Sequence, residues 1–314
     1  MKFFSGTETR NALPFDRLIE ALRQMFIEGC EVPLRHTHTL TAADGSQGTV
    51  LIMPAWRSDR YLGIKTVNIF PGNAARGLPG LFATYVLYDA RTGEPLAQID
   101  GNEITARRTA AASALAASSL ARKDAKRLLV VGAGRVAALI PAAFRRVLPI
   151  DEVRVWARKA SQARALVDAL KTGGIAASVA TDLAVAVANA DVVSCATLAT
   201  EPVIEGAWLR PGSHLDLIGS FTPKMREADD ACFAGASLFV DTGEALQKSG
   251  ELLGPLSRGV FAADGVRGTL ADLCRGTVSG RQSTDERTVF KSVGTALEDL
   301  AAATLVYESA LSHE

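Results

Sequence analysis

The chain is predicted to be an α/β protein, a doubly wound parallel sheet joined to a second, mixed α/β domain. Three observations predict it. An apolar run stops at glycines and resumes with helical spacing in KRLLVVGAGRVAALI, residues 126–140. Apolar strand-like runs then recur at 153–156, 192–196, 215–218 and 238–240, with helix-like segments such as 160–171 and 182–188 between several of them. Repeated alternation of this kind builds a parallel sheet. Finally, well over a hundred of the 314 residues precede the glycines, enough for a domain of their own at roughly 100 to 200 residues each.

Taken in order, the first domain begins with a helix at 15–26. Leu18, Ile19, Leu22 and Phe26 share one face, behind the start signals Asn11 and Pro14. Short apolar or alternating runs at 49–53, 61–67, 81–89 and 95–100 read as strands, and Asp89-Ala-Arg-Thr-Gly-Glu as a hairpin turn. The alanine-rich ITARRTAAASALAASSLA, 104–121, reads as a helix bridging to the second domain. The tail TVFKSVGTALEDLAAATLVYESAL reads as helical and as a return to the first domain. The expected boundaries are therefore 1–122 completed by 288–314, and 123–287.

The glycine turn carries the first chemical expectation. Residues 128–131 are bulky and apolar, as a strand buried on both faces should be. Gly132, Gly134 and Ala137 then fit G-x-G-x-x-A: the first permits the tight turn, the second lets the backbone approach a pyrophosphate, and the third lets helix and strand pack closely. The pyrophosphate would lie on the helix N-terminus, where unpaired N–H groups and the dipole favour an anion. A Rossmann-type dinucleotide site is the result.

Composition excludes other classes. The 34 basic and 34 acidic residues cancel, so no nucleic-acid or membrane-surface footprint is indicated. Cys30, Cys195, Cys232 and Cys274 are far apart and form no C-x-x-C, which suits a reducing cytoplasm. The N-terminus is too quickly polar for a signal peptide, and no run of about 18 apolar residues exists. A cytoplasmic protein is expected. His36 and His38 share a strand face, opposite Arg35, but no cysteine or carboxylate stands at metal-ligand spacing, so no metal is expected. Asp229 and Asp230 read as a helix cap.

Several segments together carry a resemblance over nearly the whole chain: LGIKTVNIFPGN, VLYDARTGEPLA, ITARRTAAASALAA, VVGAGRVA, GSFTPKMREAD and GRQSTDERTVFKSVGTALEDLAAA. The chain resembles the ornithine cyclodeaminase/mu-crystallin family. That resemblance implies a homodimer formed through N-terminal-domain strands, with the first domain binding substrate. It also implies three cations around a substrate carboxylate: Arg35 in EVPLRHTH, Lys65 in LGIKTVN and Arg108 in ARRTAA. Lys65 stands out without it. A lysine among Gly63, Ile64, Val67 and Ile69 is unusual in a half-buried strand, and a buried lysine is costly unless paired and has an adjustable pKa. Arg107 is distinguished from Arg108 only by the Arg-Thr pairing.

Cofactor choice is read at the end of the second strand of the parallel sheet, VRVWARKASQAR. An NAD enzyme usually places there a carboxylate for the ribose 2′-OH. Here Arg158 and Lys159 follow instead, two charges suited to a 2′-phosphate. NADP(H) is the expected cofactor and NAD(H) the alternative. By resemblance Thr109, Arg135, Val136, Ala196, Thr197, Gly219, Val293 and Gly294 also contact it, and Ser220 faces the substrate.

Ser220 also bears on the reaction. The family's cyclodeaminases carry an acidic residue after the glycine that ends the fifth strand, whereas a serine hydroxyl is no base near neutral pH without a partner. The resemblance therefore implies first a reductase of small cyclic imine carboxylates, such as pyrroline- or piperideine-2-carboxylate, or an amino-acid dehydrogenase. Ornithine cyclodeaminase and a mu-crystallin-like binder of NADPH and a carboxylate ligand are the alternatives.

Overall fold

The computed structural model describes residues 1–312. The chain divides into two compact units, Met1–Arg108 with Thr295–Glu314, and Thr109–Gly294. In the first unit, β1 (Lys2–Phe4) leads into α1 (Gly6–Ala12) and α2 (Phe15–Glu28), followed by β2 (His36–Thr41), β3 (Gln47–Trp56), β4 (Tyr61–Ile69), β5 (Leu81–Asp89) and β6 (Pro95–Asp100). The sheet order is β1-β6-β5-β4-β3-β2, antiparallel except for the β1–β6 pair. α2 buries Phe15, Leu18, Ile19, Leu22, Met25 and Phe26, the stripe its spacing predicts. The strands alternate as half-buried strands should: Met53 and Ala55, then Gly63, Lys65 and Val67, then Ala83, Tyr85 and Leu87 face inward. α3 (Gly101–Leu120) follows β6 directly, and its residues from Thr109 onward belong to the second unit.

The second unit carries an all-parallel sheet. Its elements are β7 (Arg127–Val131), α4 (Arg135–Phe144), β8 (Glu152–Trp156), α5 (Ala160–Thr172), β9 (Ala177–Val179), α6 (Leu183–Asn189), β10 (Val192–Cys195), β11 (His214–Leu217), β12 (Ser237–Val240), α7 (Ala245–Lys248), α8 (Gly250–Ser257), β13 (Gly268–Thr269), α9 (Leu270–Arg275) and β14 (Thr288–Lys291). The order is β13-β12-β14-β11-β10-β7-β8-β9. The strand sequence reverses between β7 and β10, the switch point where open α/β sheets bind ligands outside the carboxyl ends of their strands. Strands β10, β11, β12 and β14 are buried at every position, the mark of a sheet covered on both faces.

One expectation is corrected. Residues 288–291 are not helix but β14, inserted between β11 and β12. Threonine, valine and phenylalanine favour a pleated strand, and helix begins only at α10 (Ala296–Leu311), capped by the Thr295 hydroxyl after Gly294 at φ 77°. Residues 288–294 thus stay with the parallel sheet, and the first unit is completed by α10 alone, which packs on α2, β3 and β4. Also unforeseen are β1, α1, β9, α7, α8, β13 and α9, all short. Asp229 caps a short 3-10 turn through the Cys232 N–H, as a capping reading expects. No helix among the described residues is long and apolar enough to cross a membrane.

Candidate active site

Strand register and helix packing assemble a buried ionic cluster in the first unit. β4 points Lys65 inward, with Met53 and Tyr85 directly beside it on the neighbouring strands. α10 brings Glu298 and Asp299, both fully buried, and the last first-unit turn of α3 brings Thr105 and Arg108. The Lys65 ammonium lies 2.6 Å from Asp299 Oδ2 and 3.3 Å from Thr105 Oγ1. Arg108 donates from Nε to Asp299 Oδ1 at 3.0 Å and from Nη1 to Glu298 Oε2 at 2.6 Å. Asp299 therefore bridges the two cations. Arg35, one residue ahead of β2, is near enough for its charge to act on Lys65.

The electrostatics follow from burial. Desolvation pulls Lys65 down to about 8, against the attraction of Asp299 and with the help of Arg108 and Arg35. Burial also works against the Arg108 charge, but Asp299 and Glu298 outweigh it and hold the guanidinium above its ordinary value. Burial would raise Asp299, yet Lys65 and Arg108 keep it below the usual carboxylate range. The neighbouring Tyr85 phenol is raised by burial and by the Asp299 charge, and its hydroxyl has no hydrogen-bond partner among the described residues. Lys65 is thus a cation whose proton is held loosely enough to leave near neutral pH, in a water-poor site beside a fixed guanidinium.

The structure separates the two adjacent arginines. Arg107 donates from Nε to the Leu13 carbonyl at 2.8 Å and lies over the Phe15 ring, 4.4 Å from its centroid, while Arg108 alone joins the cluster. Glu298, Asp299 and Tyr85 were not singled out by the sequence reading. No signal marked the two acids, because a Glu-Asp pair in the first turn of a helix ordinarily sits exposed. His36 and His38 stack at 6.5 Å between ring centroids on the exposed β2.

In the second unit the glycine turn has the geometry its motif requires. Gly132 follows β7 at φ 121°, and a Cβ there would stand 2.6 Å from the Ala196 carbonyl oxygen, so both conformation and space demand glycine. Gly134 is the N-cap of α4 and supplies no side-chain cap. The first-turn N–H groups of Arg135, Val136 and Ala137 lie in the part of a helix that has no intrahelical acceptor, as an anion site needs. Ala137 is fully buried. Beyond β8, Arg158 and Lys159 are exposed at the start of α5, with no carboxylate between Trp156 and Lys159. Ala196 and Thr197 follow β10, Gly219 follows β11, and Val293 and Gly294 follow β14, at the carboxyl ends of neighbouring strands. Thr109 is buried on α3. Ser220 is fully buried: its hydroxyl lies 2.6 Å from the Met225 carbonyl, to which it can donate, and 3.0 Å from Ser249 Oγ. Its polar atoms are engaged in holding the loop after β11.

Residues 6–314 match the model of the ornithine cyclodeaminase/mu-crystallin family. The chain belongs to this family. A Delta(1)-pyrroline-2-carboxylate reductase of Paracoccus denitrificans is 44% identical over 309 residues, covering 97% of this chain and 96% of that relative. Among solved structures, the Thermococcus litoralis Delta(1)-pyrroline-2-carboxylate reductase in complex with NADH and L-proline matches with a TM-score of 0.92 at 33% identity, over 100% of this chain and 98% of that one. An archaeal alanine dehydrogenase dimer with bound NAD matches with a TM-score of 0.91 at 32% identity, over 100% and 97%. The two solved structures share this chain's fold along its whole length.

Proposed function

We propose that the protein is a nicotinamide-dependent reductase of small cyclic ketimine carboxylates, with Delta(1)-pyrroline-2-carboxylate as the substrate to try first, and that it runs in reverse as an amino-acid dehydrogenase. The observation that carries this reading is the buried Lys65–Asp299–Arg108 cluster, in a chain so similar over its length to reductases of that imine. Arg108 and Arg35 bind the substrate carboxylate, and Arg108 is held in place for that by Glu298 and Asp299. Lys65, at about 8, is mostly protonated at neutral pH and gives its proton to the imine nitrogen. The reduced nicotinamide supplies the hydride to the imine carbon when bound. One hydride and one proton convert C=N to CH–NH, and Lys65 regains its proton from solvent.

The turn from Gly132 to Gly134 and the start of α4 would hold the cofactor's phosphates. Arg158 and Lys159 favour NADP(H) through its 2′-phosphate, NAD(H) being the alternative. The protein is a homodimer through first-unit strands, a reading supported by the fully exposed edge strand β2, which includes Leu40. The experiment is a spectrophotometric screen of NADPH and NADH oxidation with pyrroline- and piperideine-2-carboxylate, with ornithine and oxidised cofactor run beside it. Oxidation with a cyclic imine is the expected result; proline formation from ornithine without net cofactor change points to a lyase instead.

A further inference from the structure

Five ionisable side chains are buried together in the second unit: Lys291 on β14, Asp216 on β11, Glu227, Asp241 and Glu251, none more than 1% exposed. Such burial is costly unless every charge is paired and hydrogen-bonded. What the carboxylates bind is specific. Glu227 Oε1 accepts from the N–H of Thr197 at 2.7 Å and can accept from its hydroxyl at 2.8 Å, while Oε2 accepts from the Gly219 N–H at 2.7 Å. Asp241, just past β12, accepts from the N–H groups of Val293 at 2.7 Å and Gly294 at 2.6 Å. Glu251 on α8 holds Glu227 in turn, accepting from the N–H groups of Glu227 and Ala228 at 2.8 Å each. Lys291 donates to the Leu217 carbonyl at 3.0 Å, and its charge acts on all four acids.

The turns after β10, β11 and β14 are therefore fixed by side-chain carboxylates where the sheet ladder has ended. Each bond runs from a backbone N–H to a carboxylate, stronger than the neutral bond it replaces. The packing leaves no slack: a Cβ on Gly219 would stand 1.8 Å from the Thr197 carbonyl oxygen and 2.6 Å from Glu227 Oε1. The other side of the switch point is built differently. There Gly132 donates its N–H to the Trp156 carbonyl at 2.8 Å, and α4 begins without a side-chain cap.

We propose that Glu227 and Asp241 are positioning residues for the nicotinamide half of the cofactor, presetting the turns at Thr197, Gly219 and Val293–Gly294 against which that half rests. The inference depends on the reading that this unit binds a nicotinamide dinucleotide at its switch point. Glutamine at 227 keeps the shape but offers one carbonyl oxygen, so it cannot accept at both Thr197 and Gly219.

The test is a pair of titrations on the full-length protein, unmodified and Glu227→Gln. One uses whichever of NADH and NADPH the unmodified protein binds more tightly. The other uses ADP-ribose, which lacks the nicotinamide. Loss of one charge-assisted bond predicts a fall of about 10-fold or more in reduced-cofactor affinity, with ADP-ribose affinity unchanged. Equal losses for both ligands, or no loss for either, overturn the positioning role. Unmodified protein that binds neither ligand sinks the cofactor reading itself, a separate result. Asp241→Ala, which removes the one oxygen that accepts from both Val293 and Gly294, should give the same split and serves if Glu227→Gln does not fold. In the unmodified, ligand-free protein the Thr197, Gly219, Val293 and Gly294 amides should exchange hydrogen as slowly as the adjoining strands, and rapid exchange there also overturns the proposal.

Discussion

Replacing Asp299 with asparagine tests the proton chemistry directly. The carboxylate lies 2.6 Å from the Lys65 ammonium and 3.0 Å from Arg108, with all three side chains buried. Asparagine keeps the shape and removes the charge. At an effective dielectric of about 20, opposite charges about 4 Å apart attract by about 4 kcal/mol, or about 3 pKa units. The asparagine dipole retains part of that, so Lys65 should fall from about 8 by about 2 to 3 units. At pH 7 the protonated fraction then drops from about nine-tenths to below about a tenth. If Lys65 must be protonated to reduce the imine, kcat/KM of the unmodified enzyme declines as pH rises through about 8. In Asp299→Asn that decline should come at a pH lower by about 2 to 3 units, with a rate loss of about 10-fold or more at pH 7 that is recovered toward acid. A pH profile of imine reduction measures it, after circular dichroism has shown that the variant is folded. A limb that stays near pH 8 while activity is lost uniformly refutes Lys65 as the proton donor governed by Asp299.

Three further outcomes are expected. Lys65→Ala should abolish turnover while fluorescence titration shows NADPH binding nearly unchanged; retained turnover removes Lys65 from the reaction. Unmodified protein should bind NADPH more tightly than NADH, and Arg158→Ala with Lys159→Ala should narrow the gap by about 1 to 3 kcal/mol, the range for charge-assisted hydrogen bonds; equal affinities before mutation remove the 2′-phosphate argument. Ornithine should be a poor substrate, because the buried Ser220 hydroxyl offers no carboxylate and is engaged with Met225 and Ser249, where general acid–base catalysis is typically worth about 10² to 10⁴ in rate; robust proline formation with NAD⁺ or NADP⁺ restores the lyase.

What could be read from the chain, and what could not, divides along a physical line. Strands of the parallel sheet were legible because burial on both faces leaves an apolar run, and the glycine turn because backbone approach and φ leave no other residue at Gly132. β14 was misread as helix because its four residues lead within five positions into the long segment that becomes α10, and its place between β11 and β12 lies out of chain order, about which periodicity says nothing. With it the burial of Lys291 went unseen, although it shows the same sign as Lys65: a lysine inside an apolar strand segment, TVFKSV beside LGIKTV. The acids were hidden for a different reason. Glu298 and Asp299 lie in the first turn of α10, where acidic residues ordinarily sit exposed and complement the helix dipole, so nothing in the segment says that this turn is buried. A lysine in a strand announces a buried cation by violating the pattern around it, whereas the carboxylates that satisfy it arrive from distant segments that violate nothing. Lys65 finds Asp299 from α10, and Lys291 lies within the field of Glu227, Asp241 and Glu251 from three different segments. In both units the cation is therefore visible in the sequence and its counter-charge only in the fold, and it is the counter-charge that sets what each lysine can do.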